Sequence, residues 1–128
     1  MPHGKIEHVN MTVSDIDRSA ALFEKLLGWK ERWRGPALNG GTTIHVGDDE
    51  SYLAIYTNGR AQKRFSKGQP LNHVRIEVDD LDAAEKIVLD HELETFSHSE
   101  YDPGPTSFYF FDWDGIEFEV VSYAGETS

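Results

Sequence analysis

Two histidines, His8 and His73, are the residues of this sequence whose type and spacing most strongly indicate chemistry. When residues 8–17 are aligned with residues 73–82, the two histidines coincide and five of the ten positions are identical. We interpret this as an internal duplication, with two similar units instead of a longer repeat array. Two imidazoles at equivalent positions can converge, and a carboxylate from a third strand would complete a facial triad with open coordination positions. Such a site suits Fe2+ or Mn2+ and tolerates Zn2+, Co2+ or Ni2+.

Strand and helix patterns place His8 at the start of a series of elements. Residues 6–13 alternate between polar and apolar side chains, which predicts a half-buried strand. Ser14 offers an N-cap to a helix with apolar residues at helical spacing, and Gly28 ends that helix. Further strands of this first module are predicted near residues 29–33, at 42–46 and at Tyr52–Thr57.

The region around His73 repeats that series. A strand is predicted at 73–78, and a helix of the same phase follows it. The apolar positions of this helix are Leu81, Ala84, Ile87 and Val88. Later strands are predicted near 94–98, at 107–111 and at 116–123, with a turn at 112–115 before the last one.

We therefore predict an α+β fold of two βαβββ modules that form a curled mixed sheet, with the helices on its outer face. One domain spans residues 1–128, and its modules cover about 5–57 and 71–123. The polar segment 58–70 is the predicted linker. The Pro-Gly-Pro segment 103–105 is a candidate lid or a rigid turn.

The polar faces of the strands become the lining of a cup if the sheet curls. The last strand places Glu117 and Glu119 on this polar face, opposite apolar neighbours. The candidates for orienting a substrate or supporting the metal ligands are Asn10, His45, Tyr52, Tyr56, Arg75, Ser107 and Tyr109. Tyr109 is also a candidate catalytic residue. Glu77 and Glu117 are candidate general bases. The alternative for each is a solvated strand residue or, for the tyrosines, a packed aromatic.

The composition excludes several classes of function. Lys and Arg total 12 against 23 Asp and Glu, and the net charge of −11 disfavours binding to nucleic acids or anionic membranes. Without cysteine the chain has no disulfide scaffold, thiol nucleophile or thiolate metal site. No apolar run approaches the roughly 20 residues of a membrane span, and the N-terminus does not resemble a signal peptide. We expect a cytoplasmic protein.

The sequence resembles the vicinal oxygen chelate superfamily over about residues 5–123. Residues 8–15, followed by Leu22-Phe23 and by 26–29, are similar to the family's opening histidine-strand and leucine-glycine-aromatic motifs. Residues 108–115 are similar to its tyrosine-phenylalanine-aspartate-glycine turn, with Trp113 where proline is usual. The family includes glyoxalase I, fosfomycin-resistance proteins, extradiol dioxygenases, methylmalonyl-CoA epimerase and bleomycin-binding proteins.

The resemblance implies a ligand set of His8, His73 and Glu119 for a divalent metal. Glyoxalase I has a further carboxylate ligand, which also acts as a base, at the position of Ala54, so the resemblance disfavours glyoxalase I chemistry. The remaining set of two histidines and one glutamate is similar to those of fosfomycin-resistance proteins and extradiol dioxygenases. Members that only bind bleomycin usually lack these ligands.

Neither of these two relatives matches fully. Residues 120–128 contain none of the cations that fosfomycin-resistance enzymes direct at a phosphonate, although Ser107 and Tyr109 occupy the family's hydroxyl positions. His98 lies farther from Tyr109 than the dioxygenase pattern allows. The resemblance implies a metal-dependent enzyme, of lyase, isomerase or dioxygenase type, that binds a small molecule through adjacent oxygens. It also implies a homodimer. The alternatives are a sequestering protein of the bleomycin-resistance type and a structural interaction module.

Overall fold

The order strand, helix, strand, strand, strand occurs twice in the computed structural model, which describes residues 2–60, 64–66, 69–100 and 105–124. Unit 1 comprises Met1–Gln62 and unit 2 comprises Lys63–Ser128. The elements of unit 1 are β1 (His8–Thr12), α1 (Ile16–Leu27), β2 (Lys30–Pro36), β3 (Thr42–Gly47) and β4 (Tyr52–Thr57). Those of unit 2 are β5 (Val74–Glu77), α2 (Leu81–Asp90), β6 (Thr95–Glu100), β7 (Thr106–Phe111) and β8 (Glu117–Ser122).

Each unit contains one four-stranded mixed sheet with the same topology. The strand order is β1-β4-β3-β2 in unit 1 and β5-β8-β7-β6 in unit 2. The first and last strands of each unit pair in parallel, and the other pairs are antiparallel. Asn10 lies opposite Ala54 in the parallel pair of unit 1, and Arg75 lies opposite Glu119 in unit 2. This shared register confirms the predicted duplication and the α+β fold class.

The predicted linker and lid fall partly outside the described residues. The boundary between the two units falls between residues 62 and 63 of the sequence, within the 58–70 segment. Residues 61–63 and 67–68 of that segment, and residues 103–104 of the candidate lid, lie outside the described ranges. Among the residues that are described, no helix is long and apolar enough to cross a membrane.

The helices pack on one face of each sheet and leave the other face to polar residues. Helix α1 contacts β3 and β4, and α2 contacts β7 and β8. In unit 1 the interface buries Phe23 of α1 and Ile44 of β3; in unit 2 it buries Val88 of α2 and Phe118 of β8. Because side chains alternate along a strand, the neighbours of these residues face the opposite side of the sheet. That polar side carries the candidate site residues.

Aspartate side chains cap both helices. The Arg18 N–H donates to Asp15 Oδ1 at 3.0 Å, and the Ala83 N–H donates to Asp80 Oδ1 at 3.0 Å. The predicted cap at Ser14 is wrong, because that residue lies one position too early; its hydroxyl accepts a hydrogen bond from the Arg18 side chain instead. Helix α1 ends as predicted at Gly28, where φ of 66° favours glycine.

Removing either aspartate cap is expected to destabilise the protein. Asp15→Ala and Asp80→Ala each leave a helix-terminal N–H without its acceptor, which costs about 1 kcal/mol of unfolding free energy. Urea denaturation measures the loss, with Asp49→Ala in the β3–β4 turn as the charge-matched control. An equal denaturation midpoint for the cap variants and this control would contradict the assignment.

Candidate functional site

His73 and Glu119 face each other on the polar side of the unit 2 sheet. Glu119 lies on β8, which is flanked by β5 and β7, and only 5% of the residue is exposed. His73 directly precedes β5, and its Nε2 is 3.3 Å from Glu119 Oε1. The Nε of Arg75 is 3.4 Å from the same carboxylate oxygen. Unit 2 therefore brings together two of the three predicted metal ligands.

The hydrogen bonding of His73 makes this pair suitable for a cation. Its Nδ1 is 2.8 Å from the Oδ1 of Asn72, an atom that only accepts hydrogen bonds, so Nδ1 carries the hydrogen. The Nε2 lone pair then faces the Glu119 oxygen, and a proton or a metal ion is needed between these two acceptors. An imidazole nitrogen and a carboxylate oxygen are donors that Fe2+, Mn2+ and Zn2+ all accept. The residues present thus fit the implied metal.

A cavity of about 370 Å³ adjoins His73. Glu117 lines it, only 2% of that residue is exposed, and its Oε1 is 3.9 Å from His73 Nδ1. The Tyr109 ring meets the imidazole of His73 edge-on, with ring centroids 5.6 Å apart, and stacks on Phe96 at 5.9 Å. The predicted base Glu117 and the ring of Tyr109 therefore lie beside a predicted ligand. The remaining lining residues are Asn72, Ser97 and Ser99.

His8, the first residue of β1, belongs to a separate cluster in unit 1. Its Nδ1 donates to Glu7 Oε1 at 3.0 Å, and its ring stacks on Tyr52 at 4.7 Å. Tyr52 also stacks on His45, at 4.6 Å. The hydrogen bond from His8 lowers the pKa of Glu7, and burial lowers the pKa of His45. Of the predicted substrate residues, Tyr52 thus packs directly on a candidate ligand.

A second cavity, of about 560 Å³, lies in unit 1 and contains several predicted substrate residues. Its lining combines polar side chains with a small apolar loop: Asn10, Thr12, Pro36, Ala37, Leu38, Asn39, Thr43, His45 and Tyr56. The Tyr56 hydroxyl donates to the Leu38 carbonyl at 2.8 Å, so its hydrogen is already committed. The sequence reasoning missed Thr43, whose buried Oγ1 has no hydrogen-bond partner among the described residues. The sequence signal that could have identified Thr43 is its position two residues before His45 on β3, which places both side chains on the same face of the strand.

The structure places the other predicted residues away from the His73 cavity. Ser107 is buried on β7 and lines a different cavity of about 810 Å³, and Glu77 is exposed on β5. His98 lies on β6, within the strand predicted near 94–98, and bonds to Glu85 of α2. Within the described ranges no three His, Asp or Glu side chains gather closely enough to hold a metal ion. Of the three predicted ligands, His73 and Glu119 are in contact within unit 2, and His8 belongs to unit 1.

Solved structures share this fold. The glyoxalase/bleomycin resistance protein/dioxygenase domain from Frankia sp. EAN1pec is 24% identical, with a TM-score of 0.79 over 94% of this chain and 98% of that one. The fosfomycin resistance protein FosX from Mesorhizobium loti is 20% identical, with a TM-score of 0.70 over 95% and 93% of the two chains. A variant of FosX from Listeria monocytogenes, complexed with Mn(II) and 1S,2S-dihydroxypropylphosphonic acid, is 16% identical, with a TM-score of 0.71 over 93% and 90%.

Sequence comparison agrees with the structural likeness. No curated protein matches the chain significantly. The family model described as Glyoxalase/Bleomycin resistance protein/Dioxygenase superfamily matches residues 5–120. This match covers most of the chain and includes both modules. The chain therefore belongs to the glyoxalase/bleomycin resistance protein/dioxygenase superfamily, and its two repeated modules have the glyoxalase-like fold.

Proposed function

We propose that the protein is a metal-dependent enzyme of the vicinal oxygen chelate type that binds a small molecule through two adjacent oxygens. The observation that carries the proposal is the His73–Glu119 pair, in which the imidazole Nε2 and a carboxylate oxygen lie 3.3 Å apart beside a cavity. His73 and Glu119 are two ligands of the proposed site, and His8 is the third by its equivalence to His73. The metal is a divalent ion, with Fe2+ or Mn2+ favoured and Zn2+, Ni2+ or Co2+ compatible. The solved FosX complexes, which contain Mn(II), support this choice.

When bound, the metal would supply Lewis acidity and a template for both substrate oxygens. The chain's own residues would orient the substrate and move protons. Glu117 is placed to accept a proton at Oε1, because it lines the cavity beside His73. Tyr109 lines the same cavity, with its ring packed on Phe96, and would orient the substrate there. Arg75 holds the Glu119 carboxylate through its Nε.

The cavity in unit 1 bears on the substrate class. Its nine lining residues include no Lys, Arg, Asp or Glu, and burial lowers the pKa of His45, which favours the neutral imidazole. The polar side chains of the lining belong to Asn10, Thr12, Asn39, Thr43, His45 and Tyr56. Such a lining favours uncharged hydroxyl or carbonyl groups over a phosphonate. Lyase, isomerase and dioxygenase chemistry all remain compatible with such a ligand.

The second candidate function is a sequestering protein of the bleomycin-resistance type. The observation that favours it is the contact between Arg75 and Glu119, which can neutralise the carboxylate without any metal. In that case the cavities would hold a ligand and no reaction would follow. We also propose, from the sequence resemblance alone, that the protein is a cytoplasmic homodimer; sedimentation analysis tests the dimer.

Metal content separates the two candidates. We expect the protein, purified without a His-tag and loaded in turn with Fe2+, Mn2+, Zn2+, Co2+ or Ni2+, to retain about one ion per chain by plasma mass spectrometry. His8→Ala and His73→Ala are each expected to reduce retention to background, because each removes a nitrogen ligand. His91→Ala, on the C-terminal end of α2, is the matched control and should retain the ion. A wild-type protein that binds none of the five metals would contradict the metal-dependent enzyme, and the sequestering function would then be the remaining candidate.

A further inference from the structure

The residues directly before His8 and His73 make equivalent hydrogen bonds. Glu7 Oε1 is 3.0 Å from His8 Nδ1, and Asn72 Oδ1 is 2.8 Å from His73 Nδ1. Residues 7 and 72 have the same separation in sequence as the two histidines. The duplicated units therefore keep one interaction at this position although the residue type differs.

The chemistry of both partners fixes where the imidazole hydrogen lies. An ionised carboxylate and an amide oxygen only accept hydrogen bonds. In its neutral form each imidazole then carries its hydrogen on Nδ1 and presents a lone pair at Nε2. A neutral imidazole binds a metal only through the nitrogen without hydrogen, and the bond made by the other nitrogen decides which one that is.

We propose that Glu7 and Asn72 are positioning residues that hold His8 and His73 in the Nδ1–H tautomer and so present Nε2 as the metal-binding atom of each. This inference rests on the proposed function. In unit 2 the geometry is direct, because Nε2 is the nitrogen that faces Glu119 at 3.3 Å while Nδ1 bonds to Asn72.

In unit 1 the neighbours of His8 support the same orientation. The Tyr52 ring stacks on the imidazole with an interplanar angle of 20°, which limits rotation of the ring. The Tyr52 hydroxyl lies 3.5 Å from the Glu7 oxygen that binds Nδ1. Arg32 lies over the Tyr52 ring, with its guanidinium carbon 4.4 Å from the centroid. The carboxylate and the ring that hold His8 are thus in contact with each other.

The two positioning residues differ in charge, and the difference has a consequence for metal affinity. A carboxylate partner increases the basicity of a ligating imidazole more than an amide does. We therefore expect Glu7→Ala to weaken metal binding more than Asn72→Ala. Loss of such a partner typically lowers metal affinity by about 10- to 100-fold. We expect a loss in that range for both alanine variants.

The tautomer is tested in the metal-free protein by ¹⁵N NMR of the histidine side chains at about pH 8, where ordinary imidazoles are neutral. We expect hydrogen on Nδ1 of both His8 and His73 in the wild type. Glu7→Ala should shift His8, and Asn72→Ala should shift His73, towards the Nε2–H form that prevails in solution. Glu7→Gln and Asn72→Asp should keep the Nδ1–H form, because each retains an acceptor oxygen. Nε2–H tautomers in the wild type would overturn the inference.

Calorimetric titration with Mn2+ alone tests the link to the metal. We expect the affinity of Glu7→Ala and Asn72→Ala to fall about 10- to 100-fold, with Glu7→Gln and Asn72→Asp within a few-fold of the wild type. Glu24→Ala, on α1 behind the sheet, removes the same charge and should bind normally. Wild-type affinity in the alanine variants would overturn the inference and leave the proposed function in place. A wild type that binds no Mn2+ would overturn both.

Discussion

Glu119→Gln is expected to weaken Mn2+ binding by more than about 100-fold while the fold is preserved. Glutamine has the shape of glutamate, so packing on the central strand β8 is unchanged, but the negative charge that binds the metal is lost. A direct ligand should cost more than the 10- to 100-fold typical of residues that only support a ligand. Calorimetric titration measures the affinity, and circular dichroism with a thermal melt checks the fold.

Glu117→Gln is the matched control for this prediction. It makes the same change two residues away on the same strand and the same face, at a residue that is equally buried. We expect it to retain Mn2+ affinity within a few-fold and, if Glu117 is the base, to lower turnover. Metal loss in Glu117→Gln with normal binding in Glu119→Gln would reverse the ligand assignment.

Asp112→Asn is expected to change how stability depends on pH, by up to about 3 kcal/mol. Asp112 begins the turn into β8, where its Oδ1 accepts from the N–H groups of Asp114 at 3.0 Å and Ile116 at 2.8 Å. Burial raises the pKa of Asp112 from its ordinary value of 3.8 to about 6. Oδ2 is buried without a hydrogen-bond partner among the described residues, which favours a protonated carboxyl.

The direction of this effect follows from the raised pKa. The folded protein binds this proton more tightly than the unfolded chain, so the stabilising contribution of Asp112 is complete below about pH 4 and is lost as the pH rises through about 6. A difference of about 2 pKa units corresponds to about 3 kcal/mol. Asparagine does not ionise, so Asp112→Asn should gain stability relative to the wild type between pH 4 and pH 7. Urea denaturation at several pH values measures this, and a stability difference that is constant with pH would contradict it.

The sequence predicted the arrangement of elements because its evidence is local and occurs twice. Alternation in the strands, helical spacing of apolar residues and the stop at Gly28 are all properties of short segments. The cap at Asp15 was missed by one residue because Ser14 and Asp15 are both good caps, and only the backbone geometry distinguishes them. The strand predicted near 94–98 is β6, but its register shift between Phe96 and Ser99 depends on pairing with β7, which the local pattern does not specify.

The state of the candidate site depends on contacts that sequence patterns do not specify. The alternation in β8 predicted which face Glu117 and Glu119 share, but their burial follows from the sheet order, in which β8 is a central strand. The contact of Arg75 with Glu119 follows from the parallel register of β5 and β8. The bonds from His8 to Glu7 and from His73 to Asn72 had a signal in the sequence, since those neighbours also coincide when the two units are aligned.

Anomalous X-ray diffraction from crystals grown with Mn2+ tests the central claim most directly. We predict one anomalous peak per chain, within bonding distance of Nε2 of His73, an oxygen of Glu119 and Nε2 of a His8. A peak bound through Nδ1 of His73, a peak at the Glu85–His98 contact, or no peak beside Glu119 at saturating Mn2+ would contradict the account.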